Sequence, residues 1–95
     1  MKKPEYLFYL IKSMTRNEKK NFRLYSSVHS HGDVNQYISL FDAIDSQKVY
    51  NEKILIDKLN DYFKPKDFPA VKKYLYSLLL KILKIIRMKA QLIIN

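Results

Sequence analysis

The sequence predicts an all-α domain, a five-helix bundle closed by a long C-terminal helix, and three observations carry that expectation. Apolar residues recur at helical spacing along most of the chain, and no alternating run is long enough for a sheet. One glycine and three prolines in 95 residues leave few breaks, as in helices joined by short turns. Capping residues stand in front of the periodic segments, where a helix start needs side-chain oxygens for its unpaired N–H groups.

Pro4 suits the first position of a helix, and Leu7, Leu10, Ile11 and Met14 follow at i, i+3, i+4 and i+7, so a first helix should run from Pro4 to Met14. Thr15-Arg16-Asn17-Glu18 is a capping box that should start a second helix, anchored chiefly by Phe22 and Tyr25 because its apolar residues are sparse. Ser26 to Asp33, SSVHSHGD, holds the single glycine and reads as a loop. Asp33, with Gln36 in the box position, should cap a third helix carrying Val34, Tyr37, Ile38, Phe41 and Ile44 and ending near Asp45 or Ser46. Asn51 should cap a fourth, with Leu55, Leu59, Tyr62 and Phe63 buried and Pro65 closing it. Phe68, restricted by the proline after it, leaves Pro69 to open the fifth.

That last stretch organises the rest. From Ala70 to Ile94, 17 of 25 residues are apolar, while Lys73, Ser77, Lys81, Lys84, Arg87, Gln91 and Asn95 form a polar stripe at steps of three and four. A helix of about 26 residues, roughly 39 Å long, would be apolar around more than half its girth. Four short helices are expected to cover it incompletely, leaving Leu75, Leu79, Ile82, Ile86 and Ile93 for a protein partner or for self-association. The stretch has the length to span a bilayer, but Lys81, Lys84 and Arg87 would sit mid-span at a few kcal/mol each, so no transmembrane helix is expected.

The net charge of +9 is uneven: +5 over residues 1–32, −3 over 33–63 and +7 over 64–95. Basic ends around an acidic middle favour packing the middle against both ends, and leave a positive surface for nucleic acid or another polyanion. Lys73, Lys81, Lys84 and Arg87 on one face of the fifth helix, with the fourth helix and a turn before it, loosely mimic a helix-turn-helix. The mimicry is loose because lysines suit phosphate, and only Ser77, Arg87 and Gln91 could address base edges. The solvent side of a core helix reads the same way.

Catalytic chemistry finds little support. The chain has no cysteine, which excludes disulfides, thiolate catalysis and cysteine zinc sites and fits a reducing, cytoplasmic setting. No signal peptide is expected, since Leu7 to Ile11 is short, broken by Lys12 and followed by no cleavage site. His29 and His31 near Asp33 lack the further ligand and rigid spacing a zinc site needs, and Ser26 and Ser27 beside His29 lack an acid and an oxyanion hole. Asp42 with Asp45, and Asp57 with Asp61, stand three and four apart, which could share a metal or a proton, but ordinary ion pairing explains such spacing. Gly32 alone cannot form a phosphate loop. No cofactor, metal or small-molecule substrate is expected, and the chain reads as a non-enzyme.

The order LFYLIKSMTRNEKKNFRLYSS, YISLFDAID, YNEKILIDKL and VKKYLYSLLLKILK resembles the N-terminal segment of uncharacterised Bacteroidota proteins several hundred residues long. Lys12, Ser13, Thr15, Glu18, Lys19 and Phe22 fit the pattern L-x-K-S-x-T-x-x-E-K-x-x-F, Leu40 to Ile44 fit L-F-D-A-I, and Lys73, Tyr74 and Leu75 fit the x-Y-L of K-x-Y-L. The resemblance covers nearly the whole chain. It implies a helical head in front of an array similar to tetratricopeptide repeats, hence the N-terminal part of a larger protein, and it implies no known activity. The expected role is a non-catalytic helical protein-interaction or scaffold module, with a nucleic-acid-binding module using the basic face as the alternative.

Overall fold

Helical period becomes helix in nearly every stretch that shows it. The computed structural model describes residues 5–29 and 34–94, with side chains over 5–26 and 36–88, and its order is α1 (Tyr6–Ser13), α2 (Arg16–His29), α3 (Val34–Ser46), α4 (Glu52–Lys58), a 3₁₀ turn (Pro65–Asp67) and α5 (Phe68–Ile94). Among the described residues the fold is all-α, with five helices and a long last one.

The caps act as the sequence requires. Thr15 N–H donates to Glu18 Oε1 at 2.9 Å and Glu18 N–H donates to Thr15 Oγ1 at 3.1 Å, a reciprocal box that starts α2 within two residues of the end of α1. Ile54 N–H donates to Asn51 Oδ1 at 3.1 Å and starts α4. Gln47 holds the turn before α4 from both ends of its amide, donating to Asn51 O and accepting from Asn51 N–H, each at 3.1 Å. Pro4 and Asp33, expected to open α1 and α3, lie outside the described residues, as do Gly32 and His31.

Four boundaries differ from expectation. α1 begins at Tyr6 and not at Pro4, because Glu5 before it is extended at φ −86° and ψ 90°. α2 continues to His29, so helix takes the place of the loop expected over Ser26 to His29; Ser26 is buried, and a helical turn satisfies its backbone. α4 stops at Lys58 rather than reaching Phe63. Leu59 leaves the helical region at φ −107° and ψ 16°, and Asn60 and Asp61 follow, two residues that favour turns over helix interior. Tyr62 is thereby exposed, while Phe63 turns back onto Phe68 with ring centroids 5.6 Å apart. Phe68 is the first residue of α5 with helical φ −56° and ψ −45°, despite the proline after it. Burial of its ring outweighs the local restriction, and Pro69 in the first turn has no helical donor to lose.

The core lies where α5 runs beneath the other helices. Phe68, Leu75, Leu79, Ile82 and Leu83 of α5 are buried together with Leu7, Phe8 and Ile11 of α1, Phe22 of α2, Leu40, Phe41 and Ile44 of α3 and Leu55 of α4. α1, α2 and α3 all pack on α5, and α3 bridges α1 and α2. Phe22 meets Phe41 at 4.6 Å between centroids, and Tyr37 meets Tyr74 at 4.6 Å. Lys19 pairs with Asp45 at 2.7 Å and Arg23 pairs with Asp42, so residue numbers rise along α2 as they fall along α3 and the two helices are antiparallel. The shape, 45 × 34 × 19 Å, is a slab whose thickness fits two helix layers of about 10 Å each.

This packing corrects one expectation directly. Leu75, Leu79 and Ile82, assigned to a partner from the sequence, are fully buried inside the chain itself. Short helices cover them because α1, α2 and α3 all pack on α5. Ile86 is half-buried against that core, and the Ile93 side chain lies outside the described ones.

Candidate interaction surface on the last helix

Once the buried row is set, the rest of α5 sorts itself by helical period. Lys73, Ser77, Leu80, Lys81, Lys84, Arg87 and Met88 are all exposed and occupy the side away from Leu75, Leu79 and Ile82. Two apolar residues therefore stand in the wet stripe: Leu80 is 46% exposed and Met88 is 53% exposed. Sequence reasoning missed both because it counted them only among the 17 apolar residues of the stretch and gave neither a place. The signal was present in the spacing, since Met88 stands four after Lys84 and Leu80 stands three after Ser77 and four before Lys84.

The four basic residues expected to act together divide into two kinds. Arg87 Nε donates to Glu18 Oε2 at 3.0 Å, joining the far part of α5 to the first turn of α2. The guanidinium, first through this hydrogen bond, holds the Glu18 carboxyl below its ordinary range, although burial pulls the other way. Glu18 thus serves the capping box with one oxygen and Arg87 with the other. Lys73, Lys81 and Lys84 have no acidic partner among the described residues.

Lys72, the neighbour of the stripe, is half-buried instead. Its ammonium donates to Glu52 Oε1 at 2.5 Å, to Glu5 Oε2 at 3.3 Å and to Tyr50 Oη at 3.4 Å, and it lies 5.5 Å from the Phe68 ring centre. One side chain thereby joins the entrance of α1, the entrance of α4 and the first turns of α5. The Lys72 hydrogen bond lowers the Glu52 carboxyl, and burial pushes the Tyr50 phenol far above its ordinary value, helped by the hydrogen bond it donates to Glu52. A shallow groove of about 260 Å³ opens beside this cluster between α1 and α5, lined by Tyr6, Leu7, Pro69, Lys73 and Tyr76.

The carboxylate pair Asp42 and Asp45 is absorbed in the same way, by Arg23 and Lys19. Among the described residues, Glu5, Glu18, Asp42, Asp45 and Glu52 are all held in ion pairs within the chain, and the remaining acids are Asp57 in α4, Asp61 after it and Asp67 in the 3₁₀ turn before α5. The outer face of α5 therefore carries positive charge that the fold does not neutralise. No group of three or more metal-binding side chains comes together among the described residues; the side chains of His29 and His31 lie outside them. No described helix is long and apolar enough to cross a membrane.

Compared with known proteins, the chain matches no family model, no curated protein and no solved structure.

Proposed function

We propose that this domain is a non-catalytic protein-interaction or scaffold module that engages its partner through the outer face of α5. The observation that carries the reading is the pair Leu80 and Met88, large apolar side chains about half exposed between lysines on a helix whose other face is already used by the core. Surface apolar residues aligned on one rigid helix give a partner both area and a fixed geometry. The array of helices implied by the family resemblance is one form such a partner could take, joined in the same chain. A cysteine-free chain suits a cytoplasmic setting for this role.

Light scattering over a concentration series, with a hydrophobic dye as a second readout, tests the reading. The domain should bind dye or self-associate, and Leu80→Ser with Met88→Ser should reduce both while leaving helical content unchanged. A folded wild-type chain that stays monomeric at every concentration and binds no dye overturns it.

A further inference from the structure

We propose that the partner recognised by this face is an acidic amphipathic helix. The inference rests on the interaction reading above and adds the chemistry of the occupant. Lys73, Lys81 and Lys84 are exposed and lack acidic partners among the described residues, and Leu80 and Met88 stand between and beyond them along the same face. The face is thus cationic and apolar in alternation, at the spacing of a helix.

A second helix laid along α5 rises by the same amount per residue. Carboxylates and leucines on it at three- and four-residue steps would meet the lysines and the apolar pair in register over about four turns. Extended chains rise about twice as fast and would lose that register within one turn. The neutralised acids elsewhere matter here, because Glu5, Glu18, Asp42, Asp45 and Glu52 are committed inside the fold and none offers these lysines an internal partner. Nucleic acid is the weaker fit. Phosphates have no use for Leu80 and Met88, and the one guanidinium of the face, Arg87, is held by Glu18.

The test uses the whole chain and a fluorescent synthetic peptide of about 18 residues, five helical turns, with Glu and Leu spaced to line one face. The peptide should gain helicity on binding, and a scrambled peptide of the same composition should bind about ten-fold more weakly. Lys73→Glu, Lys81→Glu and Lys84→Glu together should weaken binding by about ten-fold or more at low salt, and a peptide carrying Lys in place of Glu should bind that variant better than wild type. Because these residues are exposed, the variants should keep wild-type helicity; if charge reversal unfolds the chain, the three alanine variants give the same comparison.

Equal affinity for the scrambled peptide reduces the face to a charge effect and overturns the proposal. Tighter binding of a single-stranded oligonucleotide of equal charge, or of vesicles containing phosphatidylserine, overturns it in favour of those partners. Should the wild-type chain bind dye through Leu80 and Met88 yet ignore the helical peptide, the interaction surface stands and its acidic partner is lost.

Discussion

Ser26 shows how a single side chain records the cost of burial. It is 2% exposed on α2, and its hydroxyl has no hydrogen-bond partner among the described residues. A buried hydroxyl without a partner gives up hydration for nothing, at about 1–3 kcal/mol. Ser26→Ala keeps nearly the same volume and removes that penalty, so it should leave stability unchanged or raise it by about 1 kcal/mol in a denaturant titration. Loss of stability by more than about 1 kcal/mol would mean that the hydroxyl is satisfied in solution. Lys72 is the opposite case, a cation whose three N–H donors face three partners, Glu52, Glu5 and the Tyr50 phenol. Replacing it with Met should retain the aliphatic stem over Phe68 and leave two carboxylates facing each other without a counter-charge, a change expected to destabilise more than loss of an exposed ion pair.

At the scale of elements, the capping box at Thr15 has consequences beyond its own helix. The α1–α2 turn is only two residues long, so the cap fixes both where α2 starts and the angle at which it leaves α1. Glu18, the second half of the box, also binds Arg87, which ties the start of α2 to the far part of α5. Thr15→Ala should cost about 1 kcal/mol as an ordinary N-cap loss. Glu18→Ala removes the reciprocal bond and the tie to Arg87 together, and should cost more than Thr15→Ala in the same denaturant assay. Equal costs would mean that the Arg87 contact contributes nothing in solution. α5 itself is held by burial: fully burying a leucine or isoleucine contributes about 1.5–3 kcal/mol, and Leu75, Leu79 and Ile82 reach that limit.

The whole molecule carries +9, and its carboxylates are concentrated in pairs that hold the helices together. Glu18 and Glu52 both bind protons less readily in the fold than their ordinary value of 4.5 implies, chiefly through Arg87 and Lys72. Their contribution to stability is therefore complete above about pH 4.5 and is lost as the pH falls below it through the lowered folded values. Acid also raises the net positive charge and its self-repulsion, which acts in the same direction. The denaturation midpoint should stay level from neutral pH down to about 5 and then fall, and Glu18→Gln with Glu52→Gln should begin lower and fall less. A wild-type midpoint unchanged down to about pH 3 would show that these pairs contribute nothing to folding.

Local order was legible in the residues: α1, the box at Thr15, the cap at Asn51 and the continuous α5 follow from spacing and side-chain oxygens that act within one or two turns. The sequence by itself thus determined an all-α chain with a long amphipathic last helix and a lysine stripe along it. Only the tertiary structure decided which apolar side chains of that helix are consumed and which cations are neutralised. Leu75 and Leu80 look equally apolar in a list, yet one is buried and the other wet, and Arg87 and Lys84 look equally basic, yet one is paired. The physical reason is that these outcomes depend on where helices cross. Lys72 meets Glu5 across 67 residues and Arg87 meets Glu18 across 69, separations over which no period or cap carries information.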